Sequence, residues 1–153
     1  MDESPAPRHT RASVEDDGLT ALMRLEASGV VDGRRGTLRF WELDDPPVFL
    51  VAGTGSIGPA SVKLELVHAE AFGARHPSGW TYVVDTEGVR MANPLILRWL
   101  RRIHALPNIE RYIVVAPSRM LRLLGRLASP FVGSDHVVRD KAEAWQLIVG
   151  PGG

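Results

Sequence analysis

From Thr37 onward the apolar residues alternate between strand-like runs and helical spacings, and that alternation restricts the chain to one class of fold. "TLRFWEL" and "PVFLVA" are compact runs rich in aromatic and β-branched residues, and both read as strands. Asp44-Asp45-Pro46-Pro47 lies between them. Proline cannot donate to a ladder, so this is a turn, and the two runs form an antiparallel hairpin. A helix is expected over Ala60–Ala74, with Pro59 in its first turn and "HPSG" ending it. "WTYVVD" (Trp80–Asp85) reads as a buried strand. Ile96, Trp99, Leu100 and Ile103 fall at i, i+3, i+4 and i+7, which predicts a helix over Pro94–Leu106. Asn93 is its expected N-cap and Pro94 its first residue. "RYIVVA" (Arg111–Ala116) reads as another buried strand. Ser118 should cap a helix on which Met120, Leu123, Leu124 and Leu127 share a face. "HVV" (His136–Val138) is a short strand, and Asp140 and Glu143 have capping-box spacing for a last helix carrying Ala144, Trp145 and Ile148. The order β, β, α, β, α, β, α, β, α predicts an α/β domain. Its mixed sheet should have four or five strands, an antiparallel opening hairpin, and about four helices.

Upstream, residues 1–18 hold Pro5, Pro7, two arginines and five acids with almost no apolar side chains, the composition of a disordered tail. Leu19, Leu22, Met23 and Leu25 suggest a short helix over Leu19–Ser28, and Gly29, Gly33 and Gly36 break the chain after it. Residues 19–36 are thus read as a short helix and linker, and 37–149 as the domain. A length of 153 residues suits one domain plus a tail. No apolar run approaches the ~18 residues of a membrane span, and the N-terminus lacks the apolar core of a signal peptide. There is no cysteine, which removes disulfides, zinc–thiolate sites and cysteine nucleophiles. A cytoplasmic protein without a membrane span is expected.

One motif points toward nucleotide chemistry. "VFLVAGTGSIGP" feeds an apolar run into Gly53-x-Gly55-x-x-Gly58, the pattern that cradles a dinucleotide pyrophosphate between a strand and a helix. Three features oppose that reading. Asp85, the acid placed for a ribose, lies 27 residues past Gly58, against about 20 in dinucleotide folds. The strand is hairpinned to an antiparallel neighbour, whereas a dinucleotide-binding first strand is central and parallel. Too little chain remains for a second nucleotide half. The glycines are better read as a strand-to-helix turn needing positive φ, and Gly53, Thr54, Gly55 and Ser56 as the loop a small ligand would meet. No cofactor or metal is expected.

Other reactive constellations are weak. Ser134-Asp135-His136 holds three triad residue types in a row, but neighbours on an extended chain point to opposite sides and cannot form a relay. His9, His68, His76 and His104 are scattered, with no pair at metal-ligand spacing. Asp85 and Glu87 would serve as a carboxylate pair, although a turn residue and a helix-end charge explain them better. Residues 90–126 carry eight arginines against Glu110 alone, in a chain of zero formal charge. Arg98, Arg101 and Arg102 lie off the apolar face of one helix, and Arg119, Arg122 and Arg126 off that of the next. Solvated helix faces explain this; the functional alternative is a surface for an acidic partner. Aromatics do not interleave with the arginines as a nucleic-acid platform requires, so no nucleic acid is expected.

The stretch "YVVDTEGVRMANPLIL" (residues 82–97) resembles the central motif of the STAS domain, the family of sulfate transporters and anti-sigma-factor antagonists. Members read strand, Asp, one or two residues, Gly-Val, three residues, then Asp-Ser-Ser-Gly-Leu opening a helix. Asp85, Gly88 and Val89 match the first half. The likeness extends over about residues 37–148, through the opening hairpin, "RYIVVAPSRMLRLLGRLA" and "HVVRDKAEAWQLI". The resemblance implies a regulatory, non-enzymatic domain that binds an anti-sigma-type protein or itself. In such domains a kinase-type partner phosphorylates the first serine, and the new charge breaks the complex. Here Asn93 stands for the Asp, Pro94 for that serine, Leu95 for the second serine and Ile96 for the glycine. The resemblance therefore predicts a module without the usual switch. Its partner surface would be formed by Glu87, Arg90, Asn93, Pro94, Arg98 and Arg101. A related branch, similar to lipid-transfer folds, implies an alternative: a small-molecule or lipid site in an apolar pocket.

Overall fold

The computed structural model describes residues 17–117 and 136–150. Six strands form one sheet in sequence order: β1 Gly29–Asp32, β2 Gly36–Asp44, β3 Pro47–Ile57, β4 Trp80–Ala92, β5 Ile109–Val115 and β6 His136–Val138. β1, β2 and β3 pair antiparallel, and β3 through β6 pair parallel. The described helices are α1 Gly18–Met23, α2 Pro59–Ala74, α3 Ile96–His104 and α4 Lys141–Val149. The mixed sheet and its opening hairpin are those expected from sequence, with one strand more than the upper estimate.

Both faces of the sheet are covered, which is why the strands read as continuous apolar runs. Along β3, Phe49 and Val51 face α2 and α3, while Val48 and Leu50 face α1 and α4. In β4 and β5, Trp80, Tyr82 and Tyr112 join the first layer, and Val83, Ile113 and Val115 the second. The predicted stripe on α3 packs as expected, with Ile103 fully buried and Ile96, Trp99 and Leu100 against the same core. At α4 the Asp140 carboxylate accepts from the Glu143 amide at 2.8 Å. The Glu143 side chain returns to the Arg139 amide at 3.0 Å, one residue earlier than in a standard capping box.

Four boundaries differ from the sequence reading. First, the expected linker contains β1, which pairs with Thr37–Phe40 of β2. Its glycines mark close backbone approach and a tight turn as well as breaks. Second, α1 starts earlier and ends sooner than predicted. Asp17 caps it, accepting from the Thr20 amide at 3.0 Å. The rest of the tail, the Ser118 helix with Arg119, Arg122 and Arg126, and Ser134 and Asp135 lie outside the described residues.

Third, Gly53, Thr54, Gly55 and Ser56 are strand, not a strand-to-helix loop: β3 runs through them to Ile57, and β4 continues beside it to Ala92. The ladder slips twice, between Ala52 and Thr54 and between Gly55 and Ser56, and such bulges re-aim the side chains beyond them. Gly55 has φ +77°, and a Cβ there would sit 2.4 Å from the Arg35 carbonyl oxygen. We expect Gly55→Ala to cost about 2 kcal/mol from backbone strain alone, measured by urea unfolding. Gly58→Ala is the control and should be near neutral, because no atom lies within 4 Å of its Cβ position.

Fourth, α3 begins at Ile96, not Pro94. The Asn93 side chain accepts from the Leu95 amide at 2.9 Å, and its carbonyl accepts from Ile96 at 3.0 Å. An asparagine that satisfies its own following turn competes with helix propagation. Asn93-Pro94 thus makes a turn that leads into the helix, and Leu95 occupies the N-cap without a side-chain cap bond.

Candidate functional site

The carboxyl ends of the central parallel strands carry most of the chemistry, as open α/β sheets favour. Between the sheet, α2 and α3 lies an apolar cavity of about 180 Å³. Its floor is Val51 and Gly53 of β3, Val84 and Val89 of β4 and Val114 of β5. Ile96 and Leu100 of α3 close one side, and Val62 of α2 another. A cavity of this size matches the ~150 Å³ engineered site that holds one benzene ring.

One ionisable group sits in this wall that the sequence reading misses. Glu65 of α2 is 3% exposed and lines the cavity. Its carboxylate accepts the Tyr82 hydroxyl. Burial pushes its pKa up to about 7, against the smaller lowering effect of the Tyr82 hydrogen bond. Tyr82 stacks on Tyr112 with ring centroids 5.1 Å apart and planes at 8°. Both phenols are held above their usual range, by burial first and then by the Glu65 charge. The signal is present in the helical spacing. Val62, Glu65, Ala69 and Phe72 are the buried stripe of α2, with a carboxylate in the second place.

Across the sheet, Asp85 is buried and accepts from the Glu87 amide at 3.0 Å. Lys141 of α4 lies 3.6 Å from Asp85 and 3.3 Å from Glu87. Burial pulls the Lys141 pKa down, but the charges of Asp85 and Glu87 and their hydrogen bonds outweigh it and hold the ammonium above its usual value. The two carboxylates are therefore salt-bridged to a lysine that ties β4 to α4.

The six residues expected to form a partner surface are only partly gathered. Pro94, Arg98 and Arg101 line one shallow groove with Pro59, Leu95 and Trp99. Asn93 builds the turn beside it. Glu87 belongs to the Lys141 cluster, and Arg90 is exposed on β4. The groove centres on Trp99, a residue whose place in the helical stripe points to core packing alone. The cations of Lys63, Arg98 and Arg102 lie 5.5, 5.7 and 4.8 Å from its ring. Met91 and Leu95 nearby are 68% and 67% exposed. Gly53 lines the cavity and Gly55 serves the bulge, while Thr54 is exposed and Ser56 half-buried on β3.

No family model and no curated protein matches the sequence. Among solved structures, the chain is similar to an uncharacterised protein of the DUF3478 family with a SpoIIAA-like fold from Shewanella loihica. That likeness has a TM-score of 0.58 at 12% identity and covers 78% of this chain and 99% of the other. It is also similar to an anti-sigma factor antagonist from Mycobacterium paratuberculosis, with a TM-score of 0.58 at 18% identity over 77% of this chain and 98% of the other. The fold is thus SpoIIAA-like, the architecture that the motif around Asp85, Gly88 and Val89 implies. At these identities the likeness is one of fold. Among the described residues, no helix is long and apolar enough to cross a membrane.

Proposed function

We propose that this chain is a non-enzymatic regulatory module that docks an acidic protein surface on α3 and the Asn93-Pro94 turn, without a serine-phosphorylation switch. The observation that carries the reading is the Trp99 groove. An indole ringed by Lys63, Arg98 and Arg102, with exposed Leu95 at its edge, presents apolar area and positive charge together. Interfaces concentrate binding energy in such Trp and Arg anchors. Pro94 stands where the resembling family places its phosphorylated serine, and it has no hydroxyl to modify. The likeness of fold to an anti-sigma factor antagonist supports a protein as the partner class.

The test is a direct titration against the kinase-type anti-sigma factors encoded in the same genome, followed by calorimetry. The expected result is saturable binding to one of them that weakens at least about tenfold in Arg98→Glu/Arg102→Glu, with the fold unchanged by circular dichroism. Binding to none of them, or binding indifferent to the double reversal, overturns the reading.

The cavity favours a second reading, the binding of a small apolar ligand. Its walls are almost wholly apolar, and it opens at the strand ends where α/β sheets receive ligands. A native mass spectrum of freshly purified protein with a bound molecule would support it.

A further inference from the structure

We propose that the cavity is an amine site, built to take a small apolar molecule whose ammonium pairs with Glu65. This deepens the small-ligand reading and rests on it. Three observations converge. The cavity holds a buried carboxylate that accepts the Tyr82 hydroxyl, and among its described lining residues there is no lysine, arginine or histidine. Its other acid, Asp85, already faces Lys141 and the Glu87 amide. A charge taken out of water without a counter-ion is expensive, so Glu65 is the group in this wall whose counter-charge a ligand can supply. The Tyr82 and Tyr112 rings stack beside it, and Tyr112 lines the cavity. Aromatic faces attract ammonium groups, and more strongly when desolvated. The remaining walls, such as Val84, Val89, Ile96 and Leu100, fit an apolar body. The volume admits about one ring with a short substituent.

An ammonium without an apolar body would gain little here, because the valine and isoleucine walls offer it no hydrogen bonds. A neutral apolar molecule would fill the space but leave the carboxyl uncompensated. The two requirements together select a short aryl or alkyl amine. The probes are benzylamine, benzyl alcohol and toluene, which share the ring and differ in the group that meets Glu65. Affinities are read from amide shifts in 1H–15N NMR spectra at about pH 8, above the Glu65 pKa of about 7. Benzylamine should bind at least about tenfold tighter than benzyl alcohol, which is the gain from one compensated charge. In Glu65→Gln the preference should collapse to near unity while benzyl alcohol still binds.

The wild-type comparison needs no variant, so the proposal stays testable if Glu65→Gln folds poorly. A further readout is the side-chain carboxyl carbon of Glu65. It should move to its ionised position on adding benzylamine at about pH 7, and not on adding benzyl alcohol. Equal affinities for the three probes would overturn the amine site and leave the apolar-ligand reading standing. Binding of none of them would overturn both. An amine preference that survives Glu65→Gln would also overturn the assignment to Glu65.

Discussion

Trp80→Ala should lower the unfolding free energy by about 4 kcal/mol, near the upper end of single-residue effects. Trp80 is completely buried at the start of β4 and connects three parts of the structure. Its ring packs edge-on to Phe72 of α2 at 5.5 Å, edge-on to Phe49 of β3 at 6.5 Å, and tilted to Tyr82 at 5.8 Å. Its indole N–H donates to the Pro107 carbonyl at 3.1 Å, which pins the loop between α3 and β5. Gly73 leaves room for the ring, since a Cβ there would lie 2.9 Å from the indole. Truncation removes the transfer energy of the ring, leaves a cavity that the rigid sheet cannot collapse, and strips the Pro107 carbonyl of its donor. A domain of this size is stable by only about 5–15 kcal/mol. The expected readout is a melting temperature lower by roughly 10 °C. Trp80→Phe keeps part of the packing but loses the hydrogen bond, and should fall between the two. A loss of under about 1 kcal/mol for Trp80→Ala would show that the aromatic cluster does not act as a unit.

The elements that sequence reading places well are those whose signal is burial. α2 and α3 are legible because apolar residues recur at helical spacing, and the central strands because both of their faces are covered. The hairpin is legible because Pro46 and Pro47 cannot continue a ladder, and Pro47 indeed opens β3 at its first position. The parts that escape are held chiefly by backbone pairing. The end of β4, Gly88–Ala92, is largely exposed, yet it ladders onto Thr54–Ile57 of β3. Hydrogen bonds between main chains leave no trace in side-chain character, so Gly53–Ser56 read as a loop. β1 hides for the same reason: only Val31 of its four residues is buried.

The candidate site divides along the same line. Pro94, Arg98 and Arg101 can be grouped from sequence because a turn and one helix face hold them. Lys141 cannot be joined to Asp85 and Glu87, because the contact spans the sheet and 54 residues separate Lys141 from Glu87. The two candidate functions also share an element. α3 presents Arg98 and Trp99 to the groove and Ile96 and Leu100 to the cavity, so an occupant of the cavity touches the helix that carries the partner surface.

Glu65→Gln should raise stability by about 3 kcal/mol at pH 8 and leave it nearly unchanged at pH 4. The sign is set by where the proton sits. Glu65 ionises at about 7 in the folded protein, because burial penalises its charged form, and at 4.5 as a free side chain. Below about pH 4.5 both states are protonated, and the neutral carboxyl is accommodated beside Tyr82. As pH rises from about 4.5 to about 7 the unfolded chain releases the proton and the folded one retains it, so the folded state loses stability through that window. Above about 7 both are ionised and the loss is complete, at roughly 3 kcal/mol for a difference of this size. The groups facing Glu65 do not cancel it: Tyr82 and Tyr112 stay protonated throughout, and Asp85 is paired with Lys141. Glutamine keeps the shape and an acceptor for the Tyr82 hydroxyl but has no proton to lose. Denaturant unfolding of both proteins from pH 4 to pH 8 should therefore give curves that meet at the acid end and diverge through neutrality. Parallel curves would mean that the carboxylate is solvated in the folded protein. The cavity would then be wetter than its apolar walls imply, and the cost of an unpaired Glu65, on which an amine-binding site depends, would be absent.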